Sequence, residues 1–362
     1  MPQRIDLDRI TSYDDVVRAV VAELDAGRLI AVPDEVGVLV LGKPEQSAAG
    51  ELMGQLMSQI PIGIPFVALA DASSADDCVE ASSTTFEKLS RRCWPGPVIL
   101  QVGGEEPERL TKNWHETYVA WGLSKHGRAL SVPGNSFCRV LLENGTSPAL
   151  GLLIPGSDKL PEDVHGVSVA VESSEPRYPE GPTVAAVKDG QFEIVRSGAV
   201  SQRVLDRMNG EVYLFICTGN TCRSPMAEGL FRKMLAEQLK CQEDELLDRG
   251  YTVVSAGLSA YPGAPAAPEA IELLKEVGVD LSSHESQPVT EELLFHSDHI
   301  LAMTRHHLEA IVSAFPELEG KARLLSHEMR DVPDPIGGGP EEYSRCRSEI
   351  ESCLQELLSK QS

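Results

Sequence analysis

Positive charge is what this 362-residue chain has least of: 32 Lys and Arg stand against 55 Asp and Glu, a formal net charge of −23. The shortage runs through both halves, with 19 basic against 29 acidic side chains in residues 1–210 and 13 against 26 in residues 211–362. A polyanion finds no attracting field in either half, so nucleic acid is not expected as a partner. Apolar runs of membrane-spanning length are also missing, and the opening Met1-Pro2-Gln3-Arg4-Ile5-Asp6 is too charged for a secretory leader. No membrane partner is expected, and the location is read as cytoplasmic. The eight cysteines include no C-x-x-C pair and no regular small-domain spacing, which favours reduced thiols over a disulfide framework. There is no fixed-period repeat and no low-complexity tract to organise the chain.

What is there is an ordinary globular composition, 42% hydrophobic, with length for two domains that each bury a core. The boundary is expected near Ser201–Gly210, separating domains over 1–205 and 211–362. In the first, Val16, Val17, Val20, Val21 and Leu24 have helical spacing that stops at Gly27. Strands are expected at Leu29–Val32 and Val38–Leu41, a helix ending near Arg92, then Trp94-Pro95-Gly96-Pro97 leading into Val98–Val102. A hairpin is expected from Thr183–Val187 and Phe192–Val195 about Lys188-Asp189-Gly190. The alternation predicts an α+β domain with a twisted mixed sheet. Trp94, Trp114 and Trp121 read as core anchors.

In the second half, apolar runs at Val212–Ile216, Thr252–Ser255, Ile300–Met303 and Ala322–Leu325 are separated by helical stretches. That pattern predicts a three-layer α/β domain on a four-stranded parallel sheet, with ligands beyond the strands' C-terminal ends. One such end carries the sequence Cys217-Thr218-Gly219-Asn220-Thr221-Cys222-Arg223-Ser224-Pro225. A strand, a loop and a helix opening near Pro225 aim backbone N–H groups and a helix dipole at one point, where a phosphate-sized anion is held. Donors on that loop, with Arg223 and the Ser224 hydroxyl, favour Cys217 as a thiolate. The Arg223 guanidinium presents a planar fork to two phosphoryl oxygens. Nucleophile and anion site together predict phosphoryl transfer to sulfur, without metal or cofactor, and phosphate or another oxyanion in the loop. Further on, Asp331-Val-Pro-Asp334-Pro335-Ile336 followed by three glycines is an exposed loop from which a carboxylate reaches over a pocket. His299, His306 and His307 have no zinc-like partners beside them and read as a solvated helix face.

The segment Phe215–Glu228 resembles the signature of the low-molecular-weight protein tyrosine phosphatases, and the likeness runs on to the C-terminus. It implies that Cys217, Arg223 and Asp334 are catalytic, with Asp334 as general acid and Asp331 as the fallback. Thr218, Gly219, Asn220, Thr221, Cys222 and Ser224 would form the phosphate-binding loop. Ser255 and His284 would support it, and Cys222 would be a redox partner for Cys217. The implied substrate is a phosphorylated protein. Thr221, where tyrosine phosphatases of the family carry a large apolar residue, together with Asp334-Pro-Ile-Gly-Gly, is similar to the bacterial protein-arginine phosphatase branch. Phosphotyrosine and phosphoarginine both stay open. Arsenate reduction ranks below hydrolysis, because no further cysteine pair stands near the loop in sequence.

The first half resembles the YrdC family, which makes threonylcarbamoyl-adenylate for tRNA modification. The helix, the strand into Pro33, the Trp94–Pro97 turn and Val195-Arg196-Ser197-Gly198 stand at that family's landmarks. Its catalytic landmarks are replaced: Pro33-Asp34-Glu35-Val36-Gly37 and Ser58-Gln-Ile-Pro61-Ile-Gly-Ile-Pro65 stand where threonines, a lysine and an arginine are expected. The resemblance then implies a YrdC-like domain expected to lack synthase activity. A regulatory module, with a nucleotide as its implied ligand, a tRNA-modification enzyme and a plain scaffold are the readings left open.

Overall fold

Strand β12, Glu211–Cys217, buries its last five residues, and the second half of the chain is arranged around it. The computed structural model describes residues 1–60, 62–79, 83–103, 114, 120–146, 148–162, 164–173 and 176–359. The chain divides between Met208 and Asn209 into two units.

Among the described residues of the first unit, eleven strands form one mixed sheet. They are β1 (Gln3–Asp6), β2 (Leu29–Asp34), β3 (Gly37–Gly42), β4 (Ile64–Ala68), β5 (Val98–Val102), β6 (Leu123–Ser124), β7 (Gly127–Ser131), β8 (Ala149–Pro155), β9 (Val167–Glu172), β10 (Thr183–Lys188) and β11 (Gln191–Arg196). Their order is β1-β9-β2-β3-β8-β4-β7-β5-β10-β11, with β6 on β7. Side chains alternate across the pleat, so Leu29 and Ala31 enter one core while Ile30 and Val32 enter the other. Both faces are therefore buried, which is why β2 and β3 read as continuous apolar runs rather than as alternation. Helix Tyr13–Asp25 covers one face with Val17, Val20 and Leu24 and ends before Gly27, whose φ of 75° suits glycine. The β10–β11 hairpin turns through Asp189 and Gly190, both at positive φ. Trp94, Trp114 and Trp121 are all buried, and the Trp121 indole donates to Phe66 O and Gly151 O at 3.1 Å.

The first unit runs past 205, because helix Gln202–Met208 buries Leu205 and Arg92 donates to Met208 O at 2.6 Å. One apolar residue in a polar stretch was too weak a signal to place that helix. Pro61 lies outside the described residues, as do 360–362 at the expected C-terminal boundary. At the β2–β3 turn, Asp34 is buried and burial raises its carboxyl to about 6. Burial and the neighbouring Asp34 raise Glu35 to about 7. Asp34 Oδ1 and Glu35 Oε1 have no hydrogen-bond partner among the described residues.

The second unit holds β12, β13 (Tyr251–Gly257), β14 (His299–Ala302) and β15 (Ala322–Leu324), in the order β13-β12-β14-β15 with every pairing parallel. Tyr213 and Phe215 pack toward helices Arg223–Leu239 and Pro340–Ser359, while Leu214 and Ile216 pack toward the opposite layer with Ile311. The chain leaves β12 for β13 on one side and later returns to β14 on the other. The crevice beyond the C-terminal end of β12 is thus a switch point, where open parallel sheets hold ligands. Among the described residues no helix is long and apolar enough to cross a membrane.

Candidate active site

Cys217 ends β12, and helix Arg223–Leu239 begins six residues later with no side chain capping it at Cys222. The first-turn N–H groups of an uncapped helix are donors without helical partners. The loop between passes over the end of β13 at Gly257, where a Cβ would stand 2.6 Å from Thr218 O and 2.9 Å from Asn220 N. Only glycine permits that approach.

Asn220 takes a left-handed backbone, φ 55°, a conformation that few residues besides Gly and Asn adopt cheaply. Its side chain holds the turn: Nδ2 donates to Ser224 Oγ at 3.0 Å and to Ser255 Oγ at 2.8 Å, and Oδ1 accepts from Gln287 N at 2.9 Å. His284 Nε2 lies 2.8 Å from Asn220 O. Ser255, having accepted from Asn220, donates to Glu228 Oε2 at 2.5 Å, and Glu228 pairs with Arg232 at 2.7 Å. Ser224 also accepts from Asn220, and its own proton has two acceptors within reach, Cys217 Sγ at 2.9 Å and Ala256 O at the longer 3.4 Å. Asn220 N donates to the same sulfur at 3.2 Å. Cys217 is 2% exposed, and the sulfur sits among polar donors as well as hydrocarbon.

Arg223 is buried at the base of the helix, with Nη2 3.4 Å from Thr218 Oγ1 and Nη1 3.4 Å from Val332 O. The same Nη2 forms an ion pair with Asp334, whose side chain is 41% exposed. Asp334 Oδ1 also accepts from Ile336 N at 3.2 Å. Asp331, the fallback acid, is engaged elsewhere, since its Oδ1 accepts from Arg305 N at 2.8 Å, at the start of helix Arg305–Ala314. Cys222 lies with Sγ 3.4 Å from Tyr343 Oη, and none of the eight cysteines is joined in a disulfide. Burial and the contact with Cys222 raise the Tyr343 hydroxyl.

The reading of His307 as solvated is corrected. His307 is 2% exposed, with Nε2 2.9 Å from Thr218 Oγ1 and Nδ1 2.9 Å from Thr304 Oγ1. Its neighbour His306 shows why sequence misled: adjacent helix residues face different ways, and His306 is exposed while His307 turns into the crevice. Glu228, Gln287, Thr304 and Tyr343 also stand around the loop and were not anticipated. Glu228 lay one helical turn beyond Ser224, a spacing that puts both on one face and could have found it. Nothing local marks the others, since they arrive from separate elements. Among the described residues no group of three or more His, Cys, Asp or Glu is placed to hold a metal ion.

A sulfur accepting hydrogen bonds, a buried guanidinium and a half-exposed carboxylate thus converge on the end of β12. That set suits attack on phosphorus with a proton donor at the mouth. A family model described as low molecular weight phosphotyrosine protein phosphatase matches residues 212–362. The protein-arginine-phosphatase of Bacillus subtilis is 43% identical over 151 residues, 41% of this chain and 94% of that protein. The low molecular weight protein-tyrosine-phosphatase Etp of Escherichia coli is 31% identical over 149 residues, 41% of this chain and 92% of that protein. Among solved structures, the YwlE arginine phosphatase from Geobacillus stearothermophilus is 37% identical, covers 41% of this chain and 92% of its own, and superposes with a TM-score of 0.36.

Proposed function

The chain belongs, through residues 212–362, to the low molecular weight phosphotyrosine protein phosphatase family, and on that premise we propose that it hydrolyses phosphoarginine in proteins through a phosphocysteine on Cys217. It is a cysteine-dependent phosphatase, a phosphoric monoester hydrolase by class. The single observation carrying the site assignment is the Cys217 sulfur receiving Asn220 N–H and facing Ser224 Oγ beside a buried Arg223. Negative charge on the sulfur is stabilised there before substrate arrives.

In the resting site the Arg223 guanidinium is paired with Asp334. An incoming phosphoryl group competes for that guanidinium, and its displacement of Asp334 frees the half-exposed carboxylate to take up a proton from solvent and pass it to the leaving atom. Cys217 attacks phosphorus, the P–N or P–O bond breaks, and the Asp334 proton goes to the departing nitrogen or oxygen. Asp334, now ionised, takes a proton from water as that water attacks the phosphocysteine and releases phosphate. Asn220, Ser224, Ser255 and His284 hold the loop so that its N–H groups need not reorganise. The redox role of Cys222 requires its sulfur to leave Tyr343.

Phosphoarginine is favoured by Thr221, half-buried in the loop with Oγ1 3.7 Å from Cys222 Sγ. A hydroxyl there offers a polar partner to a guanidinium leaving group, which a large apolar side chain would not. The Bacillus subtilis relative's name supports the same substrate. The deciding experiment compares kcat/KM of the purified protein on phosphoarginine and phosphotyrosine peptides. A preference for phosphotyrosine would overturn the substrate, and a Cys217→Ser variant that still turns over would overturn the mechanism.

For residues 1–208 we read a divergent YrdC-like module without synthase chemistry. Asp34 and Glu35 occupy the β2–β3 turn, where a triphosphate would need cations rather than two carboxyls. Titration of the full chain with ATP and threonine tests this, and adenylate formation would refute it.

A further inference from the structure

Thr218 directly follows the proposed nucleophile and is the exposed residue of the loop. Its hydroxyl oxygen has two neighbours that press donors upon it: Arg223 Nη2 at 3.4 Å and His307 Nε2 at 2.9 Å. We propose that His307 is a positioning residue which, by donating from Nε2 to Thr218 Oγ1, turns the Thr218 hydroxyl proton outward to a phosphoryl oxygen of the bound substrate. This rests on the phosphatase reading of the loop and adds a donor to it.

The direction of the Thr218–His307 bond rests on a proton count together with the exposure of the two threonines. His307 is held neutral, since burial and the nearby Arg223 and His306 lower it to about 4 against the smaller opposing pull of Asp334 and Asp331. A neutral imidazole has one N–H for two neighbours. On the Nδ1 side, Thr304 Oγ1 already accepts from His307 N at 3.3 Å as the N-cap of helix Arg305–Ala314. Its own proton is then free to be given to Nδ1, 2.9 Å away. The opposite tautomer would put two donors on Thr304 Oγ1 just as this one puts two on Thr218 Oγ1, but Thr304 is half-buried, whereas the displaced proton of the exposed Thr218 has solvent or substrate to receive it. With Nδ1 accepting, Nε2 carries the proton and donates it to Thr218.

Thr218 Oγ1 therefore receives from an imidazole that cannot accept and from a guanidinium that never accepts. Both of its lone pairs are engaged on the protein side. Its remaining valence, the O–H, is left to point away from the protein, toward the side on which this reading places the phosphoryl group. A neutral histidine serves this better than a charged one, because it can receive from Thr304 while donating to Thr218.

The test is a double-mutant cycle on the full chain, read as kcat and KM for an aryl phosphate. Thr218→Val and His307→Leu are each expected to lower kcat about tenfold, the cost of losing one hydrogen bond to a charged transition state. Because His307 acts through Thr218, the double variant should match Thr218→Val to within about twofold. Thr218→Ser and His307→Gln, which keep the hydroxyl and one N–H near the Nε2 position, should recover most of the respective losses. Losses that multiply in the double variant would overturn the proposal, as would a fully active Thr218→Val. If His307→Leu fails to fold, His307→Gln decides: loss as deep as in Thr218→Val counts against the proposal, and recovery supports it. Cys217→Ser in the same assay separates the premises. A dead Cys217→Ser with multiplying losses sinks only the His307 role, whereas an active one sinks the phosphatase reading of the loop.

Discussion

Arg223 and Asp334 form an ion pair across the mouth of the loop, the guanidinium 5% exposed and the carboxylate 41% exposed. The guanidinium that should bind phosphate is thus already answered by the carboxylate that should protonate the leaving group. Substrate and acid compete for one cation, and the two functions separate in a single substitution. Asp334→Asn should lower kcat by about 10²–10³, most for poor leaving groups. It should also tighten inhibition by inorganic phosphate, because Arg223 is released. Steady-state kinetics on aryl phosphates of graded leaving ability, with phosphate as inhibitor, checks both. Unchanged phosphate affinity would mean the pair does not compete with the anion.

Thr221→Ile places a branched apolar side chain where the loop now has a hydroxyl. The ratio of kcat/KM for phosphoarginine over phosphotyrosine should fall by about 10–100-fold, the range that one polar contact against one apolar pocket contact supplies. Competition between two labelled peptides in one reaction measures the ratio directly. An unmoved ratio would remove Thr221 from specificity.

Asn220 combines a left-handed backbone with side-chain bonds to Ser224, Ser255 and Gln287. Asn220→Ala should destabilise the second unit by about 2–4 kcal/mol, from buried partners left unsatisfied and a strained φ. Asn220→Gly loses the same bonds but not the backbone fit, and should recover about 1 kcal/mol of that. Denaturant unfolding followed by hydrogen exchange within 209–359 resolves the difference. Equal stability of the two variants would show that backbone strain contributes nothing there.

Asp34, raised to about 6 by burial, binds its proton more tightly in the folded chain than in the unfolded one. A raised carboxyl pKa means the folded state holds more protons between the unfolded and folded values, so stability falls as pH rises from about 4 to about 6. Glu35, raised to about 7, extends the same slope upward. Asp34→Asn keeps the shape without the charge. It should flatten the lower part of the slope and stabilise the first unit at pH 8 by on the order of 2–3 kcal/mol. Thermal unfolding across pH 4 to 8, with exchange protection assigning the transition to residues 1–208, would show otherwise if the wild-type curve were flat.

Cys217, Arg223 and Ser224 were legible as a candidate site because one short stretch carries strand, loop and helix, so the proposed nucleophile and anion site are neighbours in the chain and need no tertiary contact to meet. Asp334 was legible from its Asp-Pro-x-Gly setting, though its resting engagement with Arg223 was not. The strands of β2 and β12 were legible as apolar runs, yet the order of an eleven-stranded mixed sheet was not, since pairing depends on partners far apart in sequence. Helix Gln202–Met208, the turning of Asp331 to Arg305, and the burial of His307 between two threonines were decided only by packing. By itself the sequence determined the candidate reacting atoms, because the chemistry that nominates them is local. Only the tertiary structure decided which groups hold them and which proton goes where, because hydrogen-bond direction is settled when the last partner arrives from another element.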